Sequence, residues 1–266
     1  LDLAAVRGLA TSGQFRSQAS MGIATGDPDQ DGDVDFFLTH FADDHNTYYE
    51  QVSPGQWVDR SSQVGLAAPS MKMLGFGTEW IDADNNGELE LIITNGHVDD
   101  VARRDVAFRM PPQFFRRDGN GWWIELERQT LGEYFQADHL GRALTTLDAD
   151  RDGRIDVAIT HLYEPMSLLI NSSERCGESV SLALKSTTSS RDAIGAKVTG
   201  EVQGRMVTKQ LFAGDGYMCS HERRVIFGIG HDPVIENLTV TWPSGVTEPF
   251  GTVNAGREYL LVEGSG

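Results

Sequence analysis

The sequence predicts an all-β chain: a partial, three-blade β-propeller over residues 1–174, followed by a β-rich, sandwich-like module over residues 175–266. Three observations predict it. A nine-residue acidic loop occurs three times. Each copy is preceded by a segment of small residues and followed by a short apolar, β-branched one. Beyond Cys176 the acidic loops cease, while strand-like segments and glycine turns continue.

The loops are Asp27-Pro28-Asp29-Gln30-Asp31-Gly32-Asp33-Val34-Asp35, Asp82-Ala83-Asp84-Asn85-Asn86-Gly87-Glu88-Leu89-Glu90 and Asp148-Ala149-Asp150-Arg151-Asp152-Gly153-Arg154-Ile155-Asp156. Carboxylates crowded at positions one, three, five and nine repel one another unless a cation sits among them. Calcium suits them, as a hard ion that accepts six to eight oxygens in flexible geometry. Glycine at position six permits a sharp turn. The position-seven carbonyl completes the cage, so Arg154 can be basic there. The candidate ligands are therefore Asp27, Asp29, Asp31, Asp33 and Asp35, then Asp82, Asp84, Asn86, Glu88 and Glu90, then Asp148, Asp150, Asp152, Arg154 and Asp156. The middle copy carries Asn86 at position five and Glu90 at position nine. With one ligand charge fewer, it is expected to be the weakest site. The alternative is three solvated acidic turns.

The loops begin 55 and then 66 residues apart. Before them run residues 21–26, 74–78 and 141–146, rich in glycine, alanine and threonine. Glycine weakens a strand unless another backbone must approach closely, as it must for inner strands crowded around an axis. After them run residues 34–39, 89–94 and 155–160, nearly continuous in hydrophobicity, as in strands covered on both faces. Weaker strands follow at 46–51, 56–60, 113–117, 122–127 and 168–170, with Asp118-Gly119-Asn120-Gly121 as a hairpin turn. Four strands per unit at a period near 60 fit propeller blades. Three blades cannot close a ring, and residues 1–9 read as the end of an earlier blade. The chain is thus expected to be a fragment. An EF-hand reading fails: the flanks are strand-like, and position twelve is Leu38, Ile93 and Ile159 rather than glutamate.

In the C-terminal part, strands are expected at 181–185, 197–201, 205–212, 224–227, 237–242 and 258–262. Overall the chain has 266 residues, 39 acidic against 22 basic, and a net charge of −17. That balance argues against nucleic acid or an anionic membrane surface as partner, and no apolar run is long enough to span a bilayer. Cys176 and Cys219 are either a disulfide, worth at most about 4 kcal/mol for a loop of this length, or two buried free thiols.

The repeats resemble FG-GAP/VCBS repeats, the integrin-like propeller blades that carry a calcium loop between their first two strands. The C-terminal part resembles the ASPIC/UnbV domain of the cartilage acidic protein family. It does so at Arg191-Asp192-Ala193-Ile194-Gly195-Ala196-Lys197-Val198, Ala213-Gly214-Asp215-Gly216-Tyr217, Phe227-Gly228-Ile229-Gly230 and Trp242-Pro243-Ser244-Gly245. The resemblance implies an extracellular or periplasmic calcium-binding protein and supplies no defined activity.

The expected function is accordingly non-catalytic: calcium-dependent structure presenting a surface to a protein or glycan. The alternative is an enzyme, or an enzyme accessory, with a site on the face opposite the calcium loops. Its support is His40, His97 and His161, which recur beyond each second strand and could hold a transition metal or simply cap strands. The insertion at residues 95–112, with Arg103, Arg104 and Asp105, is either a partner-binding loop or a surface elaboration. His221-Glu222-Arg223-Arg224-Val225 begins like a zinc-protease motif but lacks the second histidine. The sequons at Asn171 and Asn237 bear on the argument only for a secreted eukaryotic protein.

Overall fold

The computed structural model describes residues 1–100, 106–174 and 176–266, and everything below concerns those residues. The fold is all-β, in five sheets. The first holds β1 (Ser20–Gly26), β2 (Asp35–His40), β3 (Thr47–Ser53) and β4 (Gln56–Asp59) in a simple antiparallel meander. The second repeats it with β5 (Gly75–Ile81), β6 (Glu90–Asn95), β7 (Gln113–Arg117) and β8 (Trp123–Glu125). The third has β9 (Gly141–Leu147), β10 (Asp156–His161) and β11 (Ser167–Leu169). It has three strands rather than the expected four, because the chain leaves β11 for the C-terminal part.

The acidic loops close the first hairpin of each sheet in the same register. Asp35 pairs with Gly26, Glu90 with Ile81 and Asp156 with Leu147. The small residues before the loops stand where neighbouring first strands meet. A Cβ on Gly22 would lie 2.1 Å from the Phe76 carbonyl oxygen, and one on Gly77 would lie 2.6 Å from the Leu144 Cβ. The middle sheet is flanked on both sides, so every residue of β5 and β6 is buried. That explains the unbroken hydrophobicity of Leu91-Ile92-Ile93.

The C-terminal part holds β12 (Glu178–Lys185), β13 (Lys197–Val202), β14 (Arg205–Gln210), β15 (Val225–Gly230), β16 (Val234–Thr241), β17 (Thr247–Asn254) and β18 (Arg257–Val262). They form two sheets, ordered β15-β12-β18 and β14-β13-β16-β17, with β12 and β18 parallel. Both sheets contribute to one apolar core: Leu182 and Phe227 from the first, Val198, Leu238 and Val240 from the second, with Trp242 beside them. Strand β17 is absent from the sequence reading. It contains Pro249 and Gly251, which argue against a strand, and both are tolerated because β17 is an edge strand with shifted register.

Several contacts join the halves, among them Ser179 Oγ to the Gly153 carbonyl and the Asp148 N–H to Glu222, and two loops contribute the most. The loop between β14 and β15 lies along the inner strands. Ile23 and Gly216 exchange both backbone hydrogen bonds, Thr145 Oγ1 donates to the Ser220 carbonyl, and Tyr217 packs edge-on against Phe76 at 5.1 Å. The middle acidic loop docks on the end of β15, where the Gly230 and Gly177 N–H groups donate to the Asn85 and Asp84 carbonyls, both at 2.7 Å.

One expectation is corrected: residues 1–9 contain a 3-10 turn at Ala5–Arg7 rather than a strand end. Of the two alternatives for the cysteines, the structure has both free and half-buried: Cys219 Sγ lies 3.0 Å from the Leu144 carbonyl oxygen, and Cys176 Sγ lies 3.5 Å from that of Ser173.

A Cβ on Gly228 would lie 1.9 Å from Asp82 Oδ2 and 2.7 Å from the Asn85 Cα, whereas one on Gly119 would meet nothing within 4 Å. Gly228→Ala should therefore destabilise the chain by roughly 1–3 kcal/mol in urea unfolding, and Gly119→Ala by much less. Equal effects would refute the docking of the middle loop on β15.

Candidate metal centres

The three acidic loops share a conformation as well as a sequence. Position six is left-handed in each (Gly32, Gly87 and Gly153, φ 82–95°), as expected of glycine. Position four is left-handed too (Gln30, Asn85 and Arg151, φ 55–65°), and only Asn85 is a residue that favours that region. These two turns aim successive N–H groups at the position-one carboxylate. Asp27 accepts from the Asp31 and Gly32 N–H groups at 3.1 and 3.0 Å. Asp148 accepts from Asp152 and Gly153 at the same two distances. Asp82 accepts from Gly87 at 2.9 Å.

The position-nine carboxylate ties the loop to the next strands. Asp35 accepts from the Gln51 N–H and the Tyr48 hydroxyl, and Asp156 accepts from the Asn171 and Ala149 N–H groups. Glu90 accepts from the Ala83 N–H, and its other oxygen lies 3.4 Å from the Arg116 Nε.

Each loop gathers three carboxylates whose oxygens lie within 4.8 Å of one another: Asp27, Asp29 and Asp31; Asp82, Asp84 and Glu90; Asp148, Asp150 and Asp156. Such a donor set suits a hard divalent cation. Within the second group, Asp82 Oδ1 is buried with no hydrogen-bond partner. The remaining predicted ligands stand outside these groups. Asp152 is paired with the Arg154 guanidinium, and Glu88 is exposed. Asn86 Oδ1 accepts from the Glu88 N–H at 2.6 Å. The middle loop also meets a cation of its own, since the Arg116 Nη2 lies 2.9 Å from Asp84 Oδ2.

Burial is the main force on these carboxyls, with neighbouring carboxylates adding to it. Asp27 and Asp82 are raised to about 6, and Asp35 and Glu90 to about 7. Asp148 is raised for the same reasons.

The histidine set does not converge. His40 is buried with Nε2 3.1 Å from Thr47 Oγ1, and burial pushes it down to about 4. His97 Nδ1 lies 2.7 Å from the Asp99 carbonyl oxygen, and His161 lies between the Pro165 carbonyl and the Tyr134 hydroxyl. Among the described residues these three form no common metal-ligating group. Of the 95–112 insertion, Arg103, Arg104 and Asp105 lie outside the described residues. Its flanks are tied down: the His97 N–H donates to the Phe108 carbonyl, and Met110 pairs with His139. His221 leads into strand β15, not a helix. It does join a cluster that the sequence reading missed, with Glu79 and Asp215. No spacing signal could have found it, because Glu79 lies on β5 and its two partners lie on a loop more than a hundred residues away.

The raised carboxyls make a prediction with a definite sign. Their folded pKa values exceed the unfolded ones, so their contribution is full below about pH 4 and is lost as pH rises through about 6–7. His40 and His161, lowered by burial, act in the opposite sense only below about pH 6.5. A chelated sample should therefore lose melting temperature between about pH 4 and 7, the four raised carboxyls outweighing the two lowered histidines, and the loss should shrink when calcium is added. A chelated chain whose melting temperature is flat or rising across that window would contradict it.

Comparison with known proteins finds a family-model match for one part of the chain. Residues 186–266 match the family model described as ASPIC and UnbV. Over 240 residues the chain is 26% identical to cartilage acidic protein 1 of Homo sapiens, covering 86% of this chain and 33% of that protein. It is 25% identical to the Mus musculus protein and 24% identical to that of Xenopus tropicalis, each over 241 residues, 86% of this chain and 34% of theirs. The chain thus spans about a third of the length of these curated relatives. A solved structure, exotype rhamnogalacturonan lyase YesX, aligns with 93% of this chain and 51% of its own at 13% identity, with a TM-score of 0.30. A superposition that loose carries nothing about fold or activity. The segment from Ser186 to Gly266 is therefore similar to ASPIC and UnbV domains, and the chain as a whole to part of cartilage acidic protein 1.

Proposed function

We propose that this chain is a calcium-dependent, non-catalytic scaffold. In this reading residues 1–174 are three propeller blades of the FG-GAP/VCBS kind, and residues 175–266 are a sandwich-like module. Together they present a surface to a protein or glycan outside the cytoplasm. The observation that carries the reading is the threefold recurrence of one loop conformation. In each copy backbone N–H groups grip the position-one carboxylate, and a knot of carboxylate oxygens is left at the closed end of the first hairpin. A bound cation there would relieve repulsion among groups that burial already disfavours as anions. It would also lock the first strand of each sheet to the second. Similarity to cartilage acidic protein 1 and a marked acidic excess fit an extracellular setting, where sites as weak as about 0.1–1 mM are filled.

The three loops are not equal in this reading. The first and third carry aspartate at positions one, three, five and nine. The middle one has Asn86 and Glu90, and Arg116 already bridges Asp84 and Glu90. It should bind calcium most weakly. The enzyme reading finds no support in the histidines, each of which is engaged locally.

Calcium titrated into the chelated chain should raise its melting temperature to a plateau, with about 2.7 kcal/mol of added stability per site at a hundredfold excess over Kd. Magnesium should do less. Asp148→Ala should remove roughly one site's share, and Asp84→Ala should remove much less. A folded chain indifferent to calcium would end the metal reading of all three loops.

A further inference from the structure

We propose that Glu79, Asp215 and His221 form a second kind of metal site, one for a first-row transition ion of the zinc class. It would clasp the β14–β15 loop to the inner strands. Glu79 belongs to β5; Asp215 and His221 both lie on that loop. His221 Nε2 is 3.0 Å from Glu79 Oε2 and 3.2 Å from Asp215 Oδ1, and the three atoms lie within 4.8 Å of one another.

The way each group is held points to an ion. The Glu79 side chain is only 9% exposed. Its Oε1 accepts the Trp80 N–H at 3.2 Å, but Oε2 has no hydrogen-bond partner. Asp215 repeats the division of labour: Oδ2 accepts from Thr25 Oγ1 at 2.6 Å, and Oδ1 faces the cluster. His221 Nε2 is likewise buried without a partner. Both His221–carboxylate distances are those of an ion pair between a protonated His221 and the two carboxylates, and a metal would take the place of the shared proton. Each group is anchored by its far atom and turns its near atom toward the other two, as metal ligands held by outer hydrogen bonds do.

The histidine can serve. Its Nδ1 lies 3.0 Å from both the N–H and the hydroxyl oxygen of Thr146. With the ring proton on Nε2, Nδ1 accepts the Thr146 N–H. With a metal on Nε2, the proton would sit on Nδ1, where the Thr146 hydroxyl oxygen accepts it once the ring has turned away from the Thr146 N–H. One imidazole nitrogen with two carboxylates suits zinc and its neighbours, whereas calcium takes oxygen ligands. The chain would thus hold hard ions in its loops and a borderline ion at the junction.

The test uses the full chain in excess calcium, equilibrated with zinc, desalted and analysed for bound metal, with affinity measured against a chromophoric chelator. About one equivalent of zinc should remain per chain and raise the melting temperature. His221→Ala and Asp215→Asn should each weaken it by more than the roughly 10–100-fold typical of losing an outer-shell partner. Asp148→Asn, in a loop that shares none of these residues, should leave zinc binding unchanged. No retained zinc in a folded chain would overturn the proposal, as would zinc held equally well by either variant. If His221→Ala fails to fold, the near-isosteric Asp215→Asn decides alone. Loss of zinc binding leaves the calcium reading untouched, and the reverse also holds.

Discussion

Carboxylates held together against their own repulsion set the pattern for the N-terminal sheets. At each first hairpin the chain gathers them at one turn, and burial raises them further toward the neutral form. What holds them without a cation is the backbone: two left-handed residues per loop turn N–H groups onto the position-one carboxylate. The position-nine carboxylate then fastens the turn to the adjacent strands. A loop of this kind is an electrostatic spring kept closed by hydrogen bonds, and a cation would relax it.

The same loops also organise the junction. The middle loop lends its carbonyls to Gly177 and Gly230, and Gly228 exists as glycine because Asp82 and Asn85 occupy the space of its Cβ. The β14–β15 loop reaches in the other direction, pairing with Ile23 on β1 and contacting Thr145 and Thr146 on β9. Each half therefore inserts a loop into the other. Disturbing the middle turn should be felt in the C-terminal sheets, and a metal at Glu79, Asp215 and His221 would pin the reciprocal contact.

Much of the first three sheets was legible in the residues. Small residues before each loop and β-branched ones after it mark strands with known reasons to exist, and their equivalent registers follow from the repeated turn. Strand β17 was not legible, because Pro249 and Gly251 argue against a strand until its edge position is known. The absent fourth strand of the third sheet was not legible either. Where the chain turns away depends on what its neighbour offers.

The sequence by itself determined the local chemistry: which turns are acidic, where glycine must sit, which segments alternate or run apolar. These depend on residues adjacent along the chain, and spacing records them. Only the tertiary structure decided which distant groups meet. It kept His40, His97 and His161 apart, left Cys176 and Cys219 unbonded, and set Arg116 across the middle loop. It also brought Glu79 to Asp215 and His221 across more than a hundred residues. Those meetings depend on how sheets pack, and packing geometry leaves no periodic mark in the sequence.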